Sequence, residues 1–229
     1  MKRISLLLAI AAAVICASMS RSFATSESQV DQILAKMQAS GRAIKNFQAK
    51  LTEVKRFAVI GGSERSSGTI SFRHRAKNLD DVVIRYDKPQ GQVAAVLGDK
   101  VTLYQPQINQ VLITTRQKQA DSNEGFAFIT TPYTSIPQLK SQYNMTYVGD
   151  EQTESGAVSK LELVPAARPT FKKLTVWVDQ STWLPNRYQI LQKNDDVVTY
   201  TLAEFQRNIS LTDDSFKVAW PKGTKEVRR

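Results

Sequence analysis

The spacing of apolar residues changes once along the chain. Val30, Ile33, Leu34, Met37, Ile44 and Phe47 recur at helical intervals, with Lys36, Gln38, Arg42 and Lys45 between them. Ser26-x-x-Gln29 reads as a capping box that opens this helix. Gly41 weakens the helix, so a kink or a break is expected there. Such a stripe is expected to cover a core.

After Phe47 the period becomes two. Ile70 and Phe72 alternate with Thr69, Ser71 and Arg73, and Val82, Ile84 and Tyr86 alternate with Val83 and Arg85. Leu161 and Leu163 flank Glu162, Leu174, Val176 and Val178 alternate with Thr175 and Trp177, and Val198, Tyr200 and Leu202 alternate with Thr199 and Thr201. This is the pattern of antiparallel strands with one face buried and one wet. Gly61-Gly62-Ser63, Pro89-Gln90-Gly91, Gly98-Asp99 and Asn194-Asp195-Asp196 mark turns between strands. Roughly ten or eleven strands follow, at the spacing of a barrel or a sandwich.

The segment from Gln117 to Gln142 breaks the pattern. It is polar, then apolar at Gly125-Phe126-Ala127-Phe128-Ile129, then helical around Ile136, Leu139 and Tyr143 after Pro132. It is too long for a hairpin turn and is expected to pack over the sheet as a cover.

The first residues read as an export signal. Met1-Lys2-Arg3 is basic, Ile4 to Met19 is almost wholly apolar or small, and Ser22-Phe23-Ala24 offers a cut after Ala24. The expected organisation is therefore a signal peptide over residues 1–24 and a single domain over residues 25–229. Ile15 is bulky and sits just before Cys16, which argues against lipidation at that cysteine. Cleavage would remove Cys16, leaving an exported chain without a thiol to mispair.

Composition narrows the chemistry. The 229 residues hold one Cys and one His, too few for the usual zinc site or an internal disulfide. Any Ser-His-Asp triad would have to use His74, which lies in a basic turn with neither a nucleophile nor an orienting acid evident nearby. Asp80-Asp81, Asp195-Asp196 and Asp213-Asp214 are adjacent pairs, and strand neighbours point to opposite faces, so no acid/base dyad is expected from them. No phosphate-binding or dinucleotide glycine pattern is present. No catalytic residue, metal or cofactor is expected, and the protein is not expected to be an enzyme. Lys and Arg number 31 against 21 acids, a net charge of +10. In an exported protein this charge points to anionic lipid headgroups or acidic protein partners rather than to nucleic acid.

Four stretches resemble the LolA family of periplasmic lipoprotein carriers. They are Gly68-Thr69-Ile70-Ser71-Phe72 with the basic turn after it, running on to Asp87-Lys88-Pro89; Leu97-Gly98-Asp99-Lys100-Val101-Thr102-Leu103-Tyr104-Gln105-Pro106 with Asn109-Gln110-Val111; Leu174 to Asp179 running to Trp183-Leu184-Pro185; and Leu211 to Val218 with Trp220-Pro221-Lys222-Gly223-Thr224. Element order agrees as well. The resemblance implies a mainly β fold with a helical lid, an unclosed antiparallel barrel of about eleven strands. It implies a monomeric periplasmic carrier that takes acylated lipoproteins from an inner-membrane ABC exporter. The carrier would pass them to a LolB-like outer-membrane receptor. Each buried methylene contributes about 0.8 kcal/mol, so several acyl chains cannot be left in water.

A lipid cavity is expected from the apolar strand faces. Phe72, Val82, Ile84, Tyr86, Leu103 and Ile113 would line it from the first strands, and Leu163, Val176, Tyr188 and Tyr200 from the later ones. Phe126, Phe128, Ile129 and Leu139 would line it from the cover. The family's lid-latching Arg falls in the turn Arg73-His74-Arg75-Ala76-Lys77-Asn78, with Arg75 the better match and Arg73 the second. The turn is longer than the family's and lacks its Pro. Two other readings stay open: a LolA-like carrier of another lipid or glycolipid, and an envelope interaction module with a solidly packed sheet. An exported hydrolase would need a constellation that the sequence does not offer.

Overall fold

A computed structural model describes residues 13–75, 80–118, 136–167 and 170–229. Helix α1 spans Ala13–Arg42. Six strands follow: β1 Asn46–Arg56, β2 Ser63–Arg73, β3 Asp81–Lys88, β4 Val93–Leu97, β5 Lys100–Gln105 and β6 Gln110–Thr115. Helix α2, Ile136–Gln142, leads into β7 Tyr143–Thr153, β8 Gly156–Pro165, β9 Phe171–Asp179, β10 Pro185–Gln192 and β11 Val197–Arg207, and β12 is Lys225–Arg228.

All twelve strands form one sheet in the order β12-β6-β5-β4-β3-β2-β1-β11-β10-β9-β8-β7. Each half is a run of hairpins, and β1 joins them by pairing antiparallel with β11. Among the described strands only β12 runs parallel to its neighbour, on β6. The end strands β12 and β7 do not pair with each other, so the barrel stays open. β6 and β7, consecutive strands along the chain, therefore lie far apart in the sheet.

Period-two patterning sets the two faces. Ile70 pairs with Ile84 and Phe72 with Val82, then Ile84 with Ala94 and Ala94 with Leu103. In the other half Leu161 pairs with Val176, Val176 with Tyr188 and Tyr188 with Tyr200. These rows share one inner face and belong to a single buried cluster. A smaller cluster of Val83, Val93, Ala95 and Phe216 lies on the outer face, where the segment after β11 covers β3 and β4. Arg85 holds that segment by donating to the backbone carbonyls of Asp214, Ser215 and Lys217.

Three elements differ from expectation. The helix runs through Ser26 instead of starting there, because the residues before it are already helical. It stops at Arg42, next to the weak Gly41, and Phe47 lies in β1. The helical spacing up to Phe47 is therefore a join of two periods: Ile44 belongs to the turn, and Phe47, Ala49 and Leu51 are buried at intervals of two. The short β12 carries no alternation at all, which is why the count exceeds the expected one.

Candidate functional site

The inner face is the candidate site. Val30, Ile33, Leu34 and Met37 of α1 press on it, spaced so that all fall on one side of the helix. Ile136 and Leu139 of α2 join the same cluster, so the expected helical segment does pack over the sheet. The two helices are tied by Lys140 to Asp31, with Nζ and Oδ1 2.5 Å apart. Lys36 lies over the Trp183 ring at 3.9 Å, which anchors α1 to the β9–β10 turn. That turn is built by Asp179, whose Oδ1 accepts hydrogen bonds from the backbone and hydroxyls of Ser181 and Thr182. Burial would raise the Asp179 carboxyl, but these bonds hold it below the usual range.

Aromatic rings pave the middle of the face. Phe47 stacks on Phe72 at 5.0 Å and meets Phe205 at 5.2 Å, and Tyr143 stacks with Phe171 at 6.3 Å. Phe72, Val82, Ile84, Tyr86, Leu163, Val176, Tyr188 and Tyr200 are all buried in this cluster, and Leu103 is packed against it. Ile113 is a correction. It pairs with Thr102, which pairs with Ala95 of the outer cluster, so Ile113 faces outward while Leu112 and Leu103 face inward. One residue of register reverses the face, and the run Val111-Leu112-Ile113 has no polar position to reveal which face is buried. Phe126, Phe128 and Ile129 lie outside the described residues.

The two expected latch arginines sit elsewhere than on the helical cover just described. Arg73 Nε donates to Asp81 Oδ2 at 2.9 Å and its Nη1 to Asp213 Oδ1 at 2.5 Å, with the guanidinium 4.3 Å from the Phe216 ring. These contacts fasten the chain after β11 to the outer face. Arg75 Nη1 reaches Asp81 Oδ2 at 3.4 Å. Asp81 is 1% exposed and also accepts from the Gly98 backbone N–H. A latch between Arg75 and residues 119–135 falls outside the described residues.

His74 gains the acid that its neighbours in sequence did not suggest. Asp80 Oδ1 lies 2.7 Å from His74 Nδ1, while Asp81 serves the two arginines. The adjacent carboxylates thus have separate partners. Among the described residues no group of three or more His, Cys, Asp or Glu is placed to hold a metal ion.

Two features escaped the sequence reading. Glu53 extends the Phe47-Ala49-Leu51 row onto the inner face, a position that the alternation within β1 would have revealed. On the outer face a groove of about 330 Å³ is lined by Trp177, Asp179, Arg187 and Thr201. Trp177 donates to Glu151 Oε2 at 2.8 Å and lies between Lys160 and Arg187, each 5.2 Å from its ring. The Trp177 and Lys160 bonds hold the Glu151 carboxyl below its usual range. These residues meet only through the register of four strands, so nothing local in the sequence marks them. No described helix is long and apolar enough to cross a membrane.

Known proteins share this architecture. An uncharacterized protein of Methanocaldococcus jannaschii is 24% identical over 204 residues, 88% of this chain and 54% of the relative. The chain thus spans about half the length of that curated relative. An uncharacterized conserved protein from Thermus thermophilus superposes with a TM-score of 0.57 at 16% identity, covering 88% of this chain and 99% of that one. A Vibrio parahaemolyticus domain assigned to outer membrane lipoprotein sorting gives 0.51 at 12% identity, covering 81% and 94%. At these identities the likeness is one of fold. The family model of the outer membrane lipoprotein carrier protein LolA matches residues 63–219, well over half of the sequence, and the chain belongs to the LolA family.

Proposed function

We propose that the chain is an exported carrier that shields the acyl chains of lipoproteins released from an inner membrane and hands them to an outer-membrane receptor. The observation that carries this reading is the apolar inner face of an unclosed sheet, covered by two helices that pack on it through apolar side chains and are joined by the Lys140–Asp31 ion pair. Acyl chains would lie along Phe72, Ile84 and Leu103 in one half and along Leu163, Val176 and Tyr188 in the other. Parting α1 and α2 from the sheet would expose this surface without breaking a strand pair. Residues 1–24 would serve as the signal peptide, and cleavage after Ala24 would leave the α1 stripe from Val30 onward intact. The compartment is then the periplasm, and the partners are acylated lipoproteins, an ABC exporter and a LolB-like receptor.

Native mass spectrometry of gently purified protein tests this. Acylated peptide bound to the chain is the expected result. Free lipid instead would make it a carrier of another lipid, and the absence of any hydrophobic ligand would overturn the reading. Phe128→Asp or Ile129→Asp should abolish uptake of a fluorescent acylated peptide while far-UV circular dichroism stays unchanged. Full uptake by both variants would remove residues 125–129 from the binding surface.

A further inference from the structure

One end of the apolar inner face is polar. Glu53 of β1 faces inward there, paired across the strands with Tyr200 of β11 and Ser66 of β2. From β3 the Tyr86 hydroxyl donates to Glu53 Oε2 at 3.5 Å, and Tyr200 stands directly opposite Glu53 across the β1–β11 pair. Gly68 lets Tyr86 reach across β2. It stands on the inner face between Leu51 and Tyr86, and a Cβ there would lie 2.1 Å from the Arg85 carbonyl oxygen and 2.8 Å from the Tyr86 Cα. Only a residue without a side chain allows this approach.

The groups facing Glu53 define what could bind. The Tyr86 phenol spends its proton on the carboxylate, so the cluster offers a ligand chiefly oxygen lone pairs, a negative charge and ring faces. Lys55, two residues along the same row, has its ammonium 3.6 Å from Asp196 Oδ2 and 4.9 Å from the Phe57 ring. Glu64, opposite Lys55, adds further negative charge. Burial raises the Glu53 carboxyl above its usual range, and it does the same to the Tyr86 and Tyr200 phenols. A half-buried carboxylate beside an apolar sheet face is costly to desolvate, and an apolar side chain of similar size would avoid that cost. Such a group beside a ligand surface is a binding-site candidate.

We propose that Glu53, Tyr86 and Tyr200 form a subsite for the primary ammonium group of an amphiphile whose acyl chains lie on the adjoining apolar face. The proposal rests on the acyl-chain reading of that face. An ammonium supplies N–H donors and a positive charge to Glu53, whose neighbour Lys55 turns its own ammonium to Asp196, and aromatic faces favour a cation. Phosphate and carboxylate heads bring neither and are repelled by Glu53.

Lysophosphatidylethanolamine and lysophosphatidylcholine of equal chain length test this directly, because their heads differ only in N–H against N-methyl. Titration below the micelle concentration should show the ethanolamine lipid binding about tenfold tighter or more, the factor that one charge-assisted hydrogen bond supplies. Glu53→Gln should weaken the ethanolamine lipid more than the choline lipid and bring the two affinities together. Tyr86→Phe should cut the preference by about threefold, a milder change that serves if the first variant folds poorly. Equal affinities in the unmodified protein, or a preference surviving Glu53→Gln and Tyr86→Phe, would overturn the subsite alone. If neither lipid binds, the acyl-chain reading fails and the subsite fails with it.

Discussion

Asp81, at the start of β3, gathers donors from β2, from the residues after it and from the β4–β5 turn. Two arginines and a backbone N–H converge on a carboxylate that is 1% exposed. Asp81→Ala would leave these donors without their acceptor, and the expected cost is about 3 kcal/mol, read from the urea midpoint. Gly68→Ala should cost about 2 kcal/mol, because the new Cβ would stand 2.1 Å from a carbonyl oxygen that belongs to the backbone and cannot rotate away. Glu53 should make stability depend on pH. Its carboxyl is raised in the folded state by burial, so the folded chain holds its proton over a range where the unfolded chain has released it. Stability from this group falls as pH climbs above the ordinary value of 4.5. Glu53→Gln should therefore raise the melting temperature at pH 8 and do so less at pH 4. An equal gain at both would show that Glu53 is not shielded as its neighbours Tyr86, Tyr200, Lys55 and Glu64 imply.

At the scale of elements, alternation made the strands legible and register did not. Ile70 and Phe72, Val82 to Tyr86 and Val198 to Leu202 all lie in strands, and their apolar positions are buried, as their spacing implies. The four glycine- or asparagine-marked turns fall between strands, with positive φ at Gly61, Gly62, Gly91, Gly98 and Asp195. What pattern alone could not give is the face of a strand that is apolar on both sides, such as Val111-Leu112-Ile113. Nor could it give the partners of Arg73, which come from another strand and from a turn far along the chain. Helix α1 was legible as a stripe, but its end was not, since Ile44 and Phe47 continue the spacing by coincidence into a strand. The β1–β2 hairpin tip tests how local these rules are. Val59 and Ile60 are 88% and 80% exposed there. Replacing both with Ser should change stability by less than about 0.5 kcal/mol, measured by chemical denaturation. A larger loss would mean that the tip packs against something in solution.

The whole molecule is a sheet with two ends, and each end is handled differently. β12 lies parallel on β6, with Lys225 and Arg229 donating their backbone N–H groups to the carbonyls of Asn109 and Ile113. Removing residues 225–229 should keep the fold but bare the β6 edge, and size-exclusion chromatography should then show concentration-dependent association. At the other end β7 carries α1 and α2 on its inner side and a bulge between Tyr147 and Gly149. The family's architecture was visible in the order of the four matching stretches, because order and spacing survive where single residues drift. The candidate site was only partly visible, because it is a surface assembled from many strands.

The seam between β1 and β11 fixes an order of events in time. As the chain emerges, the first hairpins can close at once, yet β1 waits with one side bare until β11, about 140 residues further on, has been delivered. Pairing across so long a separation is slow, and the waiting edge is open to strangers. A newborn copy is therefore most vulnerable until Val197–Arg207 arrives, and whatever escorts it until then protects a strand whose natural mate is still missing.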